Sequence, residues 1–438
     1  MKTDKKPKKE IKELHEIFLK HPKISTNSKK VEEGDIFFAL KGEKFDGNRF
    51  AREALDKGAH IAVVDDKKLN PIKEKRFFLV EDTLETLQDL GNYHRNYIGM
   101  PVIGITGSNG KTTTKELVNA VLSKKYNTHA TYKNLNNHIG VPLTLLEFPD
   151  ETDIGIVEMG SNHFGEIKKL AEIANPDFGI ITSIGKAHLE HFKDEEGVKK
   201  EKGSLFDYLK QKGGIAFVNL DDEKVKELTK GMQTYGFSFK DHPEAQVKLK
   251  DISDGDNLKI QLNDREIQTK LTGKYNLSNI GYAVAAGKFF NLSDEEIKEA
   301  LENYVPKDMR SEIIEKDGNL IILDAYNANP TSMEAALKNL EKLSGKRKIA
   351  ILGDMFELGE NSKEEHQKIA GSAKEKKIET YLIGEEFAKT GTSFPVFKDT
   401  SAFLEKHSLK DFAPATILIK GSRGMKMEEL LKDNPDES

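Results

Sequence analysis

The 438-residue chain contains no cysteine. That excludes disulfides and thiolate metal sites, so any metal must be held by oxygen or imidazole, and a Mg²⁺-type site is the natural expectation. No apolar run approaches the roughly 18 residues needed to cross a bilayer. The lysine-rich start, Met1-Lys2-Thr3-Asp4-Lys5-Lys6-Pro7-Lys8-Lys9-Glu10, has the charge of a secretion signal without the apolar core that must follow. These absences predict a soluble, cytoplasmic protein with no membrane insertion. An overall basic field is missing too. The net charge is −5 with 32% of residues charged, which argues against a nucleic-acid partner. The N-terminal lysines read as a solvated arm, and Lys199-Lys200 among Glu195, Glu196 and Glu201 as a mixed-charge helix surface. There is no internal repeat or low-complexity tract.

What is present is an alternation of apolar strands and helical patterns too long for one core, consistent with three domains of α/β class. Residues 1–98 hold strand-like Ile36–Leu40, His60–Val64 and Phe77–Val80, with helical patterns over Arg49–Lys57 and Thr83–Tyr97. This is a small α/β unit without a phosphate loop. In residues 99–305, strands recur at Val102–Thr106, Ile154–Glu158, Phe178–Ser183 and Ile215–Asn219, and the βα order argues for a mostly parallel sheet. Ala245–Leu271 alternates polar and apolar residues between turn signals, suggesting an antiparallel appendage. Residues 306–438 restart the pattern at Leu320–Asp324, Ile349–Gly353, Tyr381–Gly384 and Ile417–Lys420, most simply a Rossmann-like domain.

The strongest local signal is Gly107-Ser108-Asn109-Gly110-Lys111-Thr112-Thr113-Thr114, between the strand Val102–Thr106 and a helical pattern from Lys115. A strand feeding a glycine turn that opens a helix aims backbone N–H groups and the positive helix end at one point. Glycines stand at Gly104 and Gly107 where the usual P-loop spacing would put one at Ile105, so this is a P-loop variant. Lys111 would neutralise the β and γ phosphates of ATP, and the Thr112 hydroxyl would face the bridging Mg²⁺.

Other residues are weaker signals taken alone. Glu158 ends a strand neighbouring the loop, where either a Mg²⁺ ligand or a helix cap belongs. His188 follows another strand end and can ligate a cation, cap or pack, and His191 competes with it equally. The amide-rich Asn134–Pro142 and Gly273–Asn279 segments suit phosphate, sugar or base contacts, or ordinary turns.

In this order the pieces resemble the Mur ligase family, ATP-dependent enzymes that build the peptide of bacterial cell-wall precursors, over nearly the full chain. The distinctive strings are Asp324-Ala325-Tyr326-Asn327-Ala328-Asn329-Pro330, Leu352-Gly353-Asp354-Met355-Phe356-Glu357-Leu358-Gly359 and Lys420-Gly421-Ser422-Arg423-Gly424-Met425-Lys426. The resemblance implies an amide ligase acting through an acyl phosphate, with ATP and Mg²⁺ as cofactors and a UDP-N-acetylmuramoyl-tripeptide and D-alanyl-D-alanine as partners, and the chain is expected to be a monomer. It implies that Thr112 and Glu158 hold one Mg²⁺, that His188 holds a second, and that Lys202 is carbamylated by CO₂ so that an anion faces the metal. Arg310 and Asp324 would reach the ATP phosphates and ribose, Asn276 and Asn279 the adenine, and Asn137 and His138 the UDP-sugar. The third domain would close over the site.

The chain departs from the family pattern in three places. Asn27-Ser28-Lys29 replaces Asp-Ser-Arg, so the UDP contacts implied for Ser28 and Lys29 lose arginine's bidentate fork. Asp46-Gly47-Asn48 replaces Asp-Gly-His, and Tyr275 replaces a frequent histidine. Rival readings are a related ligase adding the third amino acid, a folylpolyglutamate synthase, or a nucleotide switch without ligase activity. The Asp324 and Lys420 strings argue against the first two, and Glu158, His188 and Lys202 together against the third. No residue is assignable to the tripeptide's third side chain, diaminopimelate or lysine.

Overall fold

The computed structural model describes residues 8–69 and 74–432; most of the N-terminal lysine arm lies outside them. Among the described residues three large sheets follow one another along the chain, each covered by helices, and a two-stranded hairpin, Lys41–Gly42 with Phe45–Asp46, stands beside the first. In the first, four parallel strands run in the order Ile24–Ser25, Ile36–Phe38, Ile61–Val64, Phe77–Leu79. Side-chain alternation divides its residues between two cores. Ile36, Phe38, Ile61 and Val63 pack with Leu14, Phe18, Leu87 and Leu90 of the helices Lys9–Phe18 and Thr83–Ile98. Phe37, Ala62 and Val64 face Ala51, Ala54 and Leu55 of the helix Ala51–Asp56.

The central sheet has nine strands in the order Arg265–Thr272, Asn257–Leu262, Val247–Asp251, Gln233–Ser238, Ile215–Asn219, Phe178–Ile181, Val102–Thr106, Ile154–Glu158, Thr128–Ala130. The pairings are parallel except the two joining Val247–Asp251 to Asn257–Leu262 and Asn257–Leu262 to Arg265–Thr272. The expected antiparallel appendage is therefore the continuation of the main sheet. Phe237 pairs with Val247, and Leu249, Ile260, Leu262 and Ile267 share a core with Leu117 and Val118 of the phosphate-loop helix. The strands Gln233–Ser238 and Thr128–Ala130 were not expected because neither is an apolar run. Their places come from pairing with apolar neighbours.

The third sheet places five parallel strands, Asn319–Asp324, Thr416–Lys420, Lys348–Gly353, Glu379–Ile383 and Val396–Phe397, beside the antiparallel edge strand Glu312–Lys316. Phosphate loop, Glu158, Thr182–Gly185 and Asp324 all follow or close the carboxyl ends of parallel strands, the side where such sheets bind ligands. Among the described residues no helix is long and apolar enough to cross a membrane.

Candidate active site

The turn Gly107–Gly110, the expected phosphate loop, is held by backbone geometry that only glycine accepts at two points. Gly107 and Gly110 have φ of +143° and +83°, left-handed values costly for other residues. A Cβ on Gly107 would stand 2.1 Å from Thr182 Oγ1, and one on Gly110 2.5 Å from Asn279 Oδ1. The neighbouring strand end pins the loop. Ser108 N donates to the Ser183 carbonyl at 2.9 Å, Asn109 N to Ser183 Oγ at 3.1 Å, and Ser108 Oγ to the Gly185 carbonyl at 3.0 Å. Lys111 opens the helix Lys111–Leu122 and its Nζ donates to the Gly107 carbonyl at 2.9 Å. Its pKa is lowered by desolvation; the Glu158 charge opposes that shift, and the Arg310 charge adds to it.

Thr112 Oγ1 donates to Glu158 Oε2 at 2.8 Å, and Asn136 Nδ2 to Glu158 Oε1 at 2.8 Å. Glu158 is buried and its side chain caps no helix; the next helix begins at Glu166. Of its two sequence readings, the geometry leaves the carboxylate facing the loop. Asn136 was not singled out within its amide-rich block, where composition could not tell it from Asn137. Asn137 Oδ1 accepts from Gly140 N at 2.8 Å, and the His138 carbonyl from Gln88 Nε2 at 3.0 Å.

Lys202 is 1% exposed on the helix Glu195–Lys212, so it is not a surface lysine. Its Nζ donates to Ser161 Oγ at 2.7 Å and lies 5.6 Å from the Phe192 ring centroid. Desolvation, then the charge of Lys111, brings its pKa down to about 7 against the opposing pull of Glu201 and Glu166. Glu201, read as surface, is also buried. It accepts from Gly165 N and Ile167 N at 2.7 Å each, so helix periodicity, not charge count, decides which members of the run face inward.

His188 and His191 part company. His188 lines the cavity and its Nδ1 contacts the Glu357 carboxylate of the third sheet's unit. That hydrogen bond holds the Glu357 carboxyl below the usual carboxylate range. His191 instead lies against His163, ring centroids 4.0 Å apart. Among the described residues no cluster of three or more His, Asp or Glu forms a cage for a metal.

The third unit closes the cavity from the other side. The Arg310 guanidinium lies 3.7 Å over the Tyr326 ring. Asp324 Oδ2 accepts from Lys420 Nζ at 2.6 Å and Oδ1 from Ser311 N at 3.2 Å. Lys420 is a buried lysine ending the apolar strand Thr416–Lys420, and that placement is the signal by which the sequence marks it. Asn329 Nδ2 reaches Asn109 Oδ1 of the phosphate loop at 2.7 Å. Asn276 and Asn279 are buried and bond each other, Asn279 Nδ2 to Asn276 Oδ1 at 2.8 Å, while Asn279 Oδ1 accepts from Thr114 Oγ1 at 3.0 Å.

The result is one cavity of about 780 Å³ lined by Ser108–Thr113, Asn137, His138, Glu158, His188, Asn276, Asn279, Arg310, Asp324 and Lys420 among others. Ser28 and Lys29 are not brought to it. They lie in the first unit, where the buried Ser28 gives its carbonyl to Lys57 Nζ at 3.0 Å and Lys29 is exposed. Asn48, at the second departure from the family pattern, is buried between Asp46 and Asp65, its Nδ2 2.9 and 2.7 Å from their Oδ1 atoms.

Three family models match the chain: "Mur ligase family, catalytic domain" over residues 22–95, "Mur ligase middle domain" over 105–287 and "Mur ligase, glutamate ligase domain" over 309–423. The chain is 37% identical over 425 residues to a UDP-N-acetylmuramoyl-tripeptide--D-alanyl-D-alanine ligase of Bacillus subtilis, covering 94% of this chain and 92% of that one. Among solved structures it resembles MurF of Acinetobacter baumannii, at 31% identity and TM-score 0.83 over 93% of this chain and 92% of that one. It also resembles MurF ligase of Thermotoga maritima in complex with ADP, at 28% identity and TM-score 0.81 over 97% of both chains.

Proposed function

Because the chain belongs to the Mur ligase family, we propose a division of labour among its site residues for the reaction it performs, the ATP-dependent joining of D-alanyl-D-alanine to UDP-N-acetylmuramoyl-tripeptide in peptidoglycan precursor synthesis. The observation that carries this division is the single cavity in which the phosphate loop, the buried Glu158 and the Arg310, Asp324 and Lys420 group face one another. Residues 1–98 take the UDP end of the substrate, 99–305 the ATP, and 306–438 the incoming dipeptide. The loop's N–H groups and Lys111 hold the phosphates, Asn276 and Asn279 border the adenine, and Arg310 and Asp324 reach phosphate and ribose. Asn137 and His138 face the UDP-sugar.

A carboxylate is a poor acyl donor at neutral pH, so the tripeptide's terminal carboxylate oxygen attacks the γ-phosphorus and ADP departs. The dipeptide amine then adds to the acyl carbon, losing a proton as phosphate leaves. Lys111 and Arg310 offset the repulsion between the two anions in the first step. The oxygen donors of Thr112 and Glu158, 2.8 Å apart, fit a hard cation that keeps waters and phosphate oxygens for its remaining positions. Mg²⁺ bound there would screen the phosphates and polarise the γ-phosphoryl group. His188 would serve a second ion together with Lys202. As an ammonium Lys202 would repel a cation, but as a neutral amine it can add CO₂ and lose a proton, leaving a carbamate anion. Its low pKa favours the amine form. The enzyme works in the cytoplasm as a monomer.

Phosphate release measured with purified protein is expected only when tripeptide substrate and D-alanyl-D-alanine are both present, and the product mass, with diaminopimelate or lysine tripeptide offered, identifies the acceptor. Equal turnover with either substrate omitted would overturn the reading.

A further inference from the structure

The turn carrying His188 is held by the unit opposite as well as by its own, where Phe192 is buried against Phe164. Leu189, the next residue, is 5% exposed and belongs to the hydrophobic core of the third sheet's unit, with Met333, Met355 and Leu358. Glu190 N donates to the Glu357 carbonyl at 3.1 Å. His188 and Glu357 have φ of +52° and +61°, left-handed values that non-glycine residues keep only where the surroundings over-determine them. The two unusual backbones meet through the contact of the Glu357 carboxylate with His188 Nδ1. A carboxylate on Nδ1 holds the proton there, orients the ring and leaves the Nε2 lone pair free to accept.

We infer that Glu357 is a positioning residue for His188, so that the second cation ligand takes its working orientation only when the C-terminal unit is seated on the central one. This rests on the reading of His188 as a cation ligand given above. It makes domain closure and assembly of the second cation site one event: the strand-end loop that supplies Glu357 also supplies Leu358 to the core that receives Leu189. ATP bound to the open form would then meet one cation site rather than two, and the phosphoryl group would be screened in full only after closure. The sequence string Leu352–Gly359 is thereby given a physical task that the described chemistry leaves unassigned.

The test uses the full chain with a non-hydrolysable ATP analogue and Mn²⁺ as the probe, followed by electron paramagnetic resonance. The parent is expected to bind two Mn²⁺ per chain. Glu357→Gln should weaken the second by roughly 10- to 100-fold, as loss of a ligand-orienting carboxylate does, and leave the first and the thermal midpoint unchanged. Glu357→Asp should recover part of the loss. His188→Ala should lose the second ion altogether. If Glu357→Gln titrates like the parent while His188→Ala loses an ion, the inference falls and the His188 reading stands. If His188→Ala still binds two ions, both fall. Loss of both ions together in Glu357→Gln would mark general disruption and also overturn it.

Discussion

Lys111 and Lys202 are both lysines that burial pushes toward the neutral form, yet their surroundings suit opposite tasks. Lys111 projects from a loop that turns carbonyl oxygens toward it, with Glu158 opposing the loss of charge. Lys202 sits under a serine hydroxyl and a phenylalanine ring, with Lys111 itself adding repulsion. The first region suits a cation that meets phosphate, the second an amine ready to react. Desolvation is common to the two; the acceptors and charges around each nitrogen separate them.

Replacing Lys111 by alanine tests the first half most severely. ADP binding by calorimetry should weaken by about 100-fold or more and ligase turnover should fall by roughly 10³, the scale of losing a preorganised charge at a developing anion. Lys202→Ala should lower turnover by about 100-fold while ADP binding by calorimetry stays within roughly threefold, because the niche is argued to act on the cation and not on the nucleotide. Lys202→Arg should not restore it, since a guanidinium cannot add CO₂. Parental activity in either variant would erase the contrast.

A smaller effect comes from pH and CO₂. With a pKa of about 7, Lys202 is chiefly ammonium below that pH and chiefly amine above it. The carbamate should therefore form above pH 7 and be lost as pH falls, and CO₂-stripped buffer should slow the enzyme several-fold, with bicarbonate restoring it. Insensitivity to bicarbonate across that range would remove Lys202 from the mechanism. The smallest expected change is Asn329→Ala. It deletes the bond to Asn109 and the cap that Asn329 Oδ1 places on Ser332 N at the start of the helix Pro330–Lys342, each worth about 1 kcal/mol, and should raise KM for ATP about fivefold while also lowering the thermal midpoint.

The sequence disclosed most of the parallel strands because each is a continuous apolar run buried on both faces, and it disclosed the glycine turn between the strand Val102–Thr106 and the helix Lys111–Leu122 because the glycines Gly107 and Gly110 there take positive φ values. It missed the sheet's weaker strands, Gln233–Ser238 and Thr128–Ala130, whose residues pair only because neighbours are already in place. Asn136 and Lys420 were hidden for a related reason: one amide in an amide-rich block and one lysine after a strand look like any other until the cavity shows which side they face. Ser28 and Lys29 lie outside the cavity because they belong to the first unit, where Ser28 takes part in local bonding.

By itself the sequence determined the α/β alternation, the place of the glycine turn that opens the helix Lys111–Leu122 and the family resemblance, since these depend on the order of residues within short segments. Tertiary structure decided that Lys202 and Glu201 are buried, that His188 and not His191 faces the cavity, and that Glu357 meets His188 from another domain. Burial and the pairing of charges are properties of the surroundings, and for these residues the surroundings come from segments as many as 169 positions away.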